Sequence, residues 1–237
     1  MINMSERPKQ LLGIGTDAKT VKGEKKGVLT GIMYLAPYTL SGTNVCAMAE
    51  LAHCHEGCLN TAGRGQMSNV QMARLRKTRF WQEDPETFLS LLRKEVARVV
   101  RKAKRENKTP MIRLNGTSDI LWERKAPALF EEFSDVQFYD YTKIPTRRDL
   151  PKNYHLTFSY SGANERYREF YRPALDNGMN VAVVFRKPEF PETFLGLPVV
   201  NGDESDIRPF DPQGVIVGLK AKGKAKRDKS GFVVDPR

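Results

Sequence analysis

Cys46, Cys54 and Cys58 fall within thirteen residues of a 237-residue chain that has no other cysteine, and His53 and His55 stand among them. Thiolate and imidazole donors at this density point to a metal. Two chemistries compete for the cluster. Three Cys and either His53 or His55 would close a tetrahedral structural zinc site. A four-iron, four-sulfur cluster held by the three thiolates alone would leave one iron open to a substrate or cofactor. The paired Cys-x2-Cys spacing of zinc ribbons is absent, which favours iron and sulfur. The small-residue loop Leu59-Asn60-Thr61-Ala62-Gly63-Arg64-Gly65 follows directly. Its backbone amides and Arg64 suit a carboxylate or phosphate near the metal. The third histidine, His155, opens an apolar stretch and reads as a core or rim residue.

A second set of chemistry-bearing residues follows short apolar runs. Candidate strands are 28–36, 111–114, 136–141, 155–159, 181–185, 198–200 and 214–219, with helical segments predicted at 69–80, 84–105, 124–133, 163–176 and 190–195. Near-continuous apolar strands alternating with helices argue for a parallel α/β sheet. No phosphate-binding glycine fingerprint follows the first strand, so an open or incomplete (β/α) barrel fits better than a doubly wound fold. Reactive groups in such folds collect where strands end. Asp119, Asp140 and Lys143 are the candidate catalytic groups there, with a carboxylate handling a proton and Lys143 or Arg186 clamping an anion. Asn115, Ser118, Ser159, Arg186 and Asp206 are the candidate cofactor-binding groups. Loops are polar in any case, and Asn115-Gly116 or Asn201-Gly202 would also serve simple turns.

The elements that must carry these residues are framed by charge. Lys and Arg outnumber Asp and Glu 39 to 28, for a net charge of +11. Residues 1–30 contribute +3, residues 73–108 +7 and residues 219–237 +5, which leaves the remainder mildly acidic at −4. This partition predicts polyanion contact, by nucleic acid or a nucleotide, through the ends and one helix. The helix opens at Asp84-Pro85-Glu86, a capping Asp followed by Pro in the first turn. Phe88, Leu92, Val96, Val99 and Ala103 share one apolar face within about 80°. Lys94, Arg98, Arg101 and Arg105 line another, as a candidate nucleic-acid contact or an ordinary solvated face. A Ser68 cap is expected for the helix over 69–80.

Residues 1–26 read as a flexible basic arm, 27–219 as a single α/β metal-binding domain, and 220–237 as a basic tail whose apolar Ser230–Val234 end is expected to dock. No apolar run is long enough to span a bilayer, and the N-terminus carries no signal-like apolar region, so a cytoplasmic protein without membrane contact is expected.

The succession of the cysteine cluster, Leu59–Gly65, Arg113-Leu114-Asn115-Gly116-Thr117-Ser118-Asp119, Phe138-Tyr139-Asp140-Tyr141-Thr142-Lys143 and Val215-Ile216-Val217-Gly218-Leu219-Lys220 resembles the gene product 88 group of uncharacterised phage and prophage proteins, over most of residues 28–232. That resemblance implies a phage origin and the host cytoplasm. A more distant similarity is to radical S-adenosylmethionine enzymes, which place three cysteines after the first strand of an incomplete (β/α) barrel. It implies a 4Fe–4S cluster on Cys46, Cys54 and Cys58, with S-adenosylmethionine held by polar groups after later strands. Their usual spacing is Cys-x3-Cys-x2-Cys; here it is Cys-x7-Cys-x3-Cys. The expectation is an iron–sulfur enzyme acting on nucleic acid or a nucleotide. The alternative is a non-enzymatic nucleic-acid-binding or host-interaction protein with structural zinc.

Overall fold

The computed structural model describes residues 7–15, 21, 23–187 and 189–235. Nine strands alternate with helices: β1 (Leu12–Ile14), β2 (Val28–Met33), α1 (Tyr38–Ser41), α2 (Ser68–Glu83), α3 (Pro85–Arg105), β3 (Thr109–Arg113), α4 (Trp122–Lys125), α5 (Pro127–Glu132), β4 (Gln137–Thr142), β5 (Tyr154–Ser159), α6 (Glu165–Arg168), α7 (Tyr171–Asp176), β6 (Asn180–Phe185), β7 (Thr193–Phe194), β8 (Leu197–Asn201) and β9 (Ile216–Lys220). The strand order is β1-β2-β3-β4-β5-β6-β9-β8-β7, an open row that does not close on itself. The pairs β2–β3, β3–β4, β5–β6, β6–β9 and β8–β9 are parallel, whereas β1–β2 and β7–β8 are antiparallel. The fold is thus mixed α/β with a mostly parallel sheet, as the alternation of runs predicts. By its contacts the chain divides into two compact units. The first comprises the residues up to Cys46, Gln66–Asp140 and Pro151–Tyr154; the second comprises Ala47–Gly65, Tyr141–Leu150 and the residues from His155 on.

In the first unit α3 dominates. The Asp84 carboxylate accepts the Thr87 N–H at 3.1 Å, and Pro85 opens the helix, so the cap read from the sequence is realised. Phe88, Leu92, Val96, Val99 and Ala103 are all fully buried, and α3 packs against β1, β2 and β3. Each of the larger side chains contributes roughly 1.5–3 kcal/mol by leaving water. Gly31 in β2 admits the helix closely, since a Cβ there would lie 3.0 Å from Val99 Cγ2. Trp81, Phe88 and Trp122 extend this core, with ring centroids 4.9 Å apart for the two tryptophans. Helix α2 begins at Ser68 itself; Met67 occupies the cap and no side chain bonds there, so the expected Ser68 cap is not formed.

β1 lies inside the stretch expected to be a flexible arm. Leu11 and Leu12 are fully buried. The Leu12 N–H donates to Glu95 Oε2 at 2.7 Å, Lys77 Nζ donates to the Leu11 carbonyl at 2.6 Å, and Arg7 pairs with Asp84 at 2.7 Å. The rest of the arm, residues 1–6, 16–20 and 22, lies outside the described residues, as do the last two residues of the tail.

The second unit is built on β6 and β9, whose Ala182 and Val217 pack with Val215 and against Tyr141, Val200 and Leu219. The helix expected over 190–195 is instead a tight hairpin. Leu195 and Gly196 take positive φ angles of 53° and 79° between β7 and β8, the combination that suits a two-residue turn between twisted strands. An apolar leucine at the turn's first position hides this signal in the sequence. The segment after β9, expected as a basic tail with a docking apolar end, is folded down over its described length. Ala225, Phe232 and Val233 are buried, and Val234 adds a parallel bridge to Phe185.

Candidate functional site

In the first unit the polar residues after β3 are drawn inward. Asp140, on β4, is fully buried; its carboxylate accepts the Asn115 N–H at 2.9 Å, the Leu114 N–H at 3.3 Å and the Tyr154 hydroxyl at 3.0 Å. Asn115 Oδ1 accepts from Ser118 Oγ at 2.8 Å, from the Ile120 N–H at 3.0 Å and from the Trp122 indole at 3.0 Å, and its amide donates to the Ile120 carbonyl at 2.9 Å. The Asp119 N–H donates to Val45 O at 2.8 Å. Gly116 is required by close approach, because a Cβ would fall 2.6 Å from both the Met33 carbonyl and the Tyr34 ring. Asn115, Ser118 and Asp140 are therefore brought together, and these three and Asp119 are all buried. The bonds of Asn115, Ser118 and Asp140 shape the loop; they place a buried carboxylate beside two backbone amides and a tyrosine hydroxyl.

In the second unit Lys143 and Ser159 meet. Lys143 Nζ donates to Ser159 Oγ at 2.8 Å and to the Ser159 carbonyl at 2.9 Å. The Tyr167 hydroxyl donates to the carbonyls of Lys143 at 3.0 Å and Ser159 at 3.1 Å. The ammonium lies 5.0 Å from the Phe232 ring centre and 5.8 Å from that of Tyr167, within cation–π range. Both residues stand at the ends of β4 and β5, so an ammonium and a hydroxyl share one buried corner lined by aromatic faces.

The cysteine-bearing loop reaches this corner from its own side. Ser161, fully buried just beyond β5, donates to the Ala52 carbonyl at 2.7 Å. A Cβ on Gly57 would lie 3.3 Å from both Ala225 Cβ and the Phe232 ring. Cys54 is buried and its thiol donates to the Ala49 carbonyl at 3.7 Å, while Cys58 is half-buried. Cys46, half-buried, falls in the first unit and the other two cysteines in the second. Among the described residues no three His, Cys, Asp or Glu side chains stand close enough together to hold a metal ion. His53 is exposed and takes a positive φ of 50°. His155 lies on β5, and burial, followed by the charge of Arg208, pushes its imidazole below the ordinary value.

The expected pocket residue Arg186 holds the C-terminal segment. Its guanidinium donates to Asp235 Oδ2 at 2.9 Å, to the Lys226 carbonyl at 3.2 Å and to the Asp228 carbonyl at 2.6 Å. Asp206 is buried near Arg208, a fully buried guanidinium that pairs with Asp211 at 3.1 Å. Those aspartates and Arg208 pack the turn after β8.

On α3, Lys94, Arg101 and Arg105 are exposed, whereas Arg98 leans on Glu95 at 3.7 Å. Tyr154, Ser161, Tyr167, Asp228 and Phe232 are the partners that sequence reading missed. The apolar setting of Phe232 hints at docking; nothing local marks Tyr154 or Tyr167 as the hydroxyls that complete these clusters.

No helix among the described residues is long and apolar enough to cross a membrane. No curated protein and no solved structure matches the chain. The gene product 88 family matches residues 10–236, nearly the whole length, and includes every one of the motifs above. The chain belongs to the gene product 88 family of phage proteins.

Proposed function

We propose that the protein binds nucleic acid through the outer face of α3. One observation carries this reading. Along that helix Arg93 pairs with Glu132 and Lys102 with Glu106, yet among the described residues no carboxylate pairs with Lys94, Arg101 or Arg105. These three exposed cations span about 16 Å at 1.5 Å per residue. A row of this length suits several backbone phosphates and carries no base-reading geometry. Binding to a random-sequence duplex should weaken as salt rises. The variant Lys94→Gln/Arg101→Gln/Arg105→Gln should lower the slope of log K against log salt by about 3, at close to 0.9 per contact. An unchanged slope would remove α3 from the interface.

A second reading is an iron–sulfur enzyme acting on nucleic acid or a nucleotide, with S-adenosylmethionine as a second cofactor. It is favoured by the cysteine loop's attachment at Ser161 and by Phe232, which touches both that loop and Lys143. It requires Cys46, Cys54 and Cys58 to gather around one cluster. Protein purified without oxygen should then absorb in the visible and carry about four irons. Colourless protein without iron sinks this reading, and stoichiometric zinc in its place supports a structural site.

A further inference from the structure

We infer that the C-terminal segment is a prefolded basic platform, a second contact for nucleic-acid backbone separate from α3. The inference rests on the nucleic-acid reading above and deepens it. In the sequence this segment is a lysine-rich end that would ordinarily stay solvated and mobile. In the structure it is fixed at three levels. Its Gly223–Arg227 stretch forms a 3-10 turn with Ala225 buried. Its end is held to β6, where Val234 N–H donates to Val184 O at 2.8 Å and Arg186 N–H donates to Val234 O at 3.0 Å. Between the two, the Asp228 carboxylate gathers the chain by accepting Ser230 Oγ at 2.7 Å, Ser230 N–H at 3.3 Å, Gly231 N–H at 3.2 Å and Val233 N–H at 3.0 Å.

This scaffolding leaves the cations outside. Lys224, Lys226, Arg227 and Lys229 are exposed. Among the described residues no carboxylate pairs with any of them, whereas Lys222 is paired with Asp203 at 2.7 Å. Lys226, Arg227 and Lys229 line a surface cleft of about 620 Å³ with Arg186 at its wall, where Asp228 is engaged by the segment's own bonds, Asp235 is paired with Arg186 and Val233 is buried. Arg186 uses all three guanidinium nitrogens on Asp235 and the carbonyls of Lys226 and Asp228, so it holds the platform and leaves the outer cations to meet a ligand. Four exposed cations without a carboxylate partner suit a phosphodiester backbone and no particular base. Fixing the backbone beforehand removes the ordering cost that a loose tail would meet on binding.

Three variants of the full chain separate the possibilities, each titrated against a random-sequence duplex of about 30 base pairs between about 50 and 200 mM salt. Lys224→Gln/Lys226→Gln/Arg227→Gln/Lys229→Gln should weaken binding about tenfold or more and lower the salt slope by about 3.6. Wild-type affinity in that variant, beside a loss in the α3 variant, overturns the platform and leaves the α3 reading standing. Asp228→Ala removes the carboxylate that gathers the segment while making the surface more positive. Simple charge attraction would tighten binding; a prefolded platform makes it about three- to tenfold weaker. Equal or tighter binding by Asp228→Ala overturns prefolding. Absence of duplex binding by the wild-type chain overturns both this inference and the reading on which it rests.

Discussion

Two strand-end clusters, one in each unit, use similar residues for different ends. After β3, Asp140 and Asn115 hold two backbone amides, a tyrosine hydroxyl, a serine, an indole and the loop's own carbonyl and N–H. At the ends of β4 and β5, Lys143 and Ser159 contact each other and two aromatic rings, beside a loop that carries two cysteines. In the first cluster, removal of a side chain strands several buried donors. In the second, the ammonium keeps the Ser159 carbonyl when the hydroxyl is lost. Bonds to backbone groups make a side chain a builder of its loop.

The contrast can be broken most directly at Asp140. Asp140→Ala leaves three buried donors without their charged acceptor and should cost about 3–5 kcal/mol in urea unfolding. A loss under about 1 kcal/mol would remove its role as the loop's anchor.

The next effect tests how the first unit holds its N-terminal strand. Burial, opposed by Glu95 and aided by Arg74, lowers the Lys77 ammonium from 10.5 to about 8. Between pH 8 and 10.5 the unfolded chain therefore binds a proton that the folded chain does not, so stability rises with pH across that window. Relative to Lys77→Met, the wild type should gain about 3 kcal/mol from the lower to the upper end. Parallel pH curves for the two proteins would contradict it.

Ser161→Ala strands the Ala52 carbonyl and should cost about 1–2 kcal/mol. It should also speed alkylation of buried Cys54, because the cysteine loop loses its tie to the strand end; an unchanged labelling rate would detach that tie from the loop's order. Ser159→Ala should be the mildest, at about 1 kcal/mol. A cost as large as that of Asp140→Ala would erase the distinction between the two clusters.

Much of the fold was legible locally. The alternation of apolar runs places seven of the nine strands to within a few residues, and the Asp84-Pro85 start and apolar face of α3 are read correctly because capping and amphipathic period are short-range properties. β1 and β7 escape a sequence reading because they are only three and two residues long. The hairpin at Leu195-Gly196 reads as a helix in the sequence because leucine is an unusual turn residue. Of the site, the grouping of Asn115, Ser118 and Asp140 and the meeting of Lys143 with Ser159 follow from strand ends lying side by side. Their roles did not follow, since a carboxylate reads the same in sequence whether it faces a ligand or three backbone donors.

The sequence by itself determined the mixed α/β class, the amphipathic α3 with its basic stripe, and the concentration of positive charge at the two ends, all of which depend on composition and on spacing over a few residues. Only the tertiary structure decided that Arg186 clasps the C-terminal segment, that Asp140 anchors a loop, that Lys77 and Glu95 pin β1, and that four lysines and arginines of the tail are held in a fixed array. Each of these depends on which distant backbone groups arrive within hydrogen-bond reach. Burial makes those encounters strong, and spacing along the chain does not encode them.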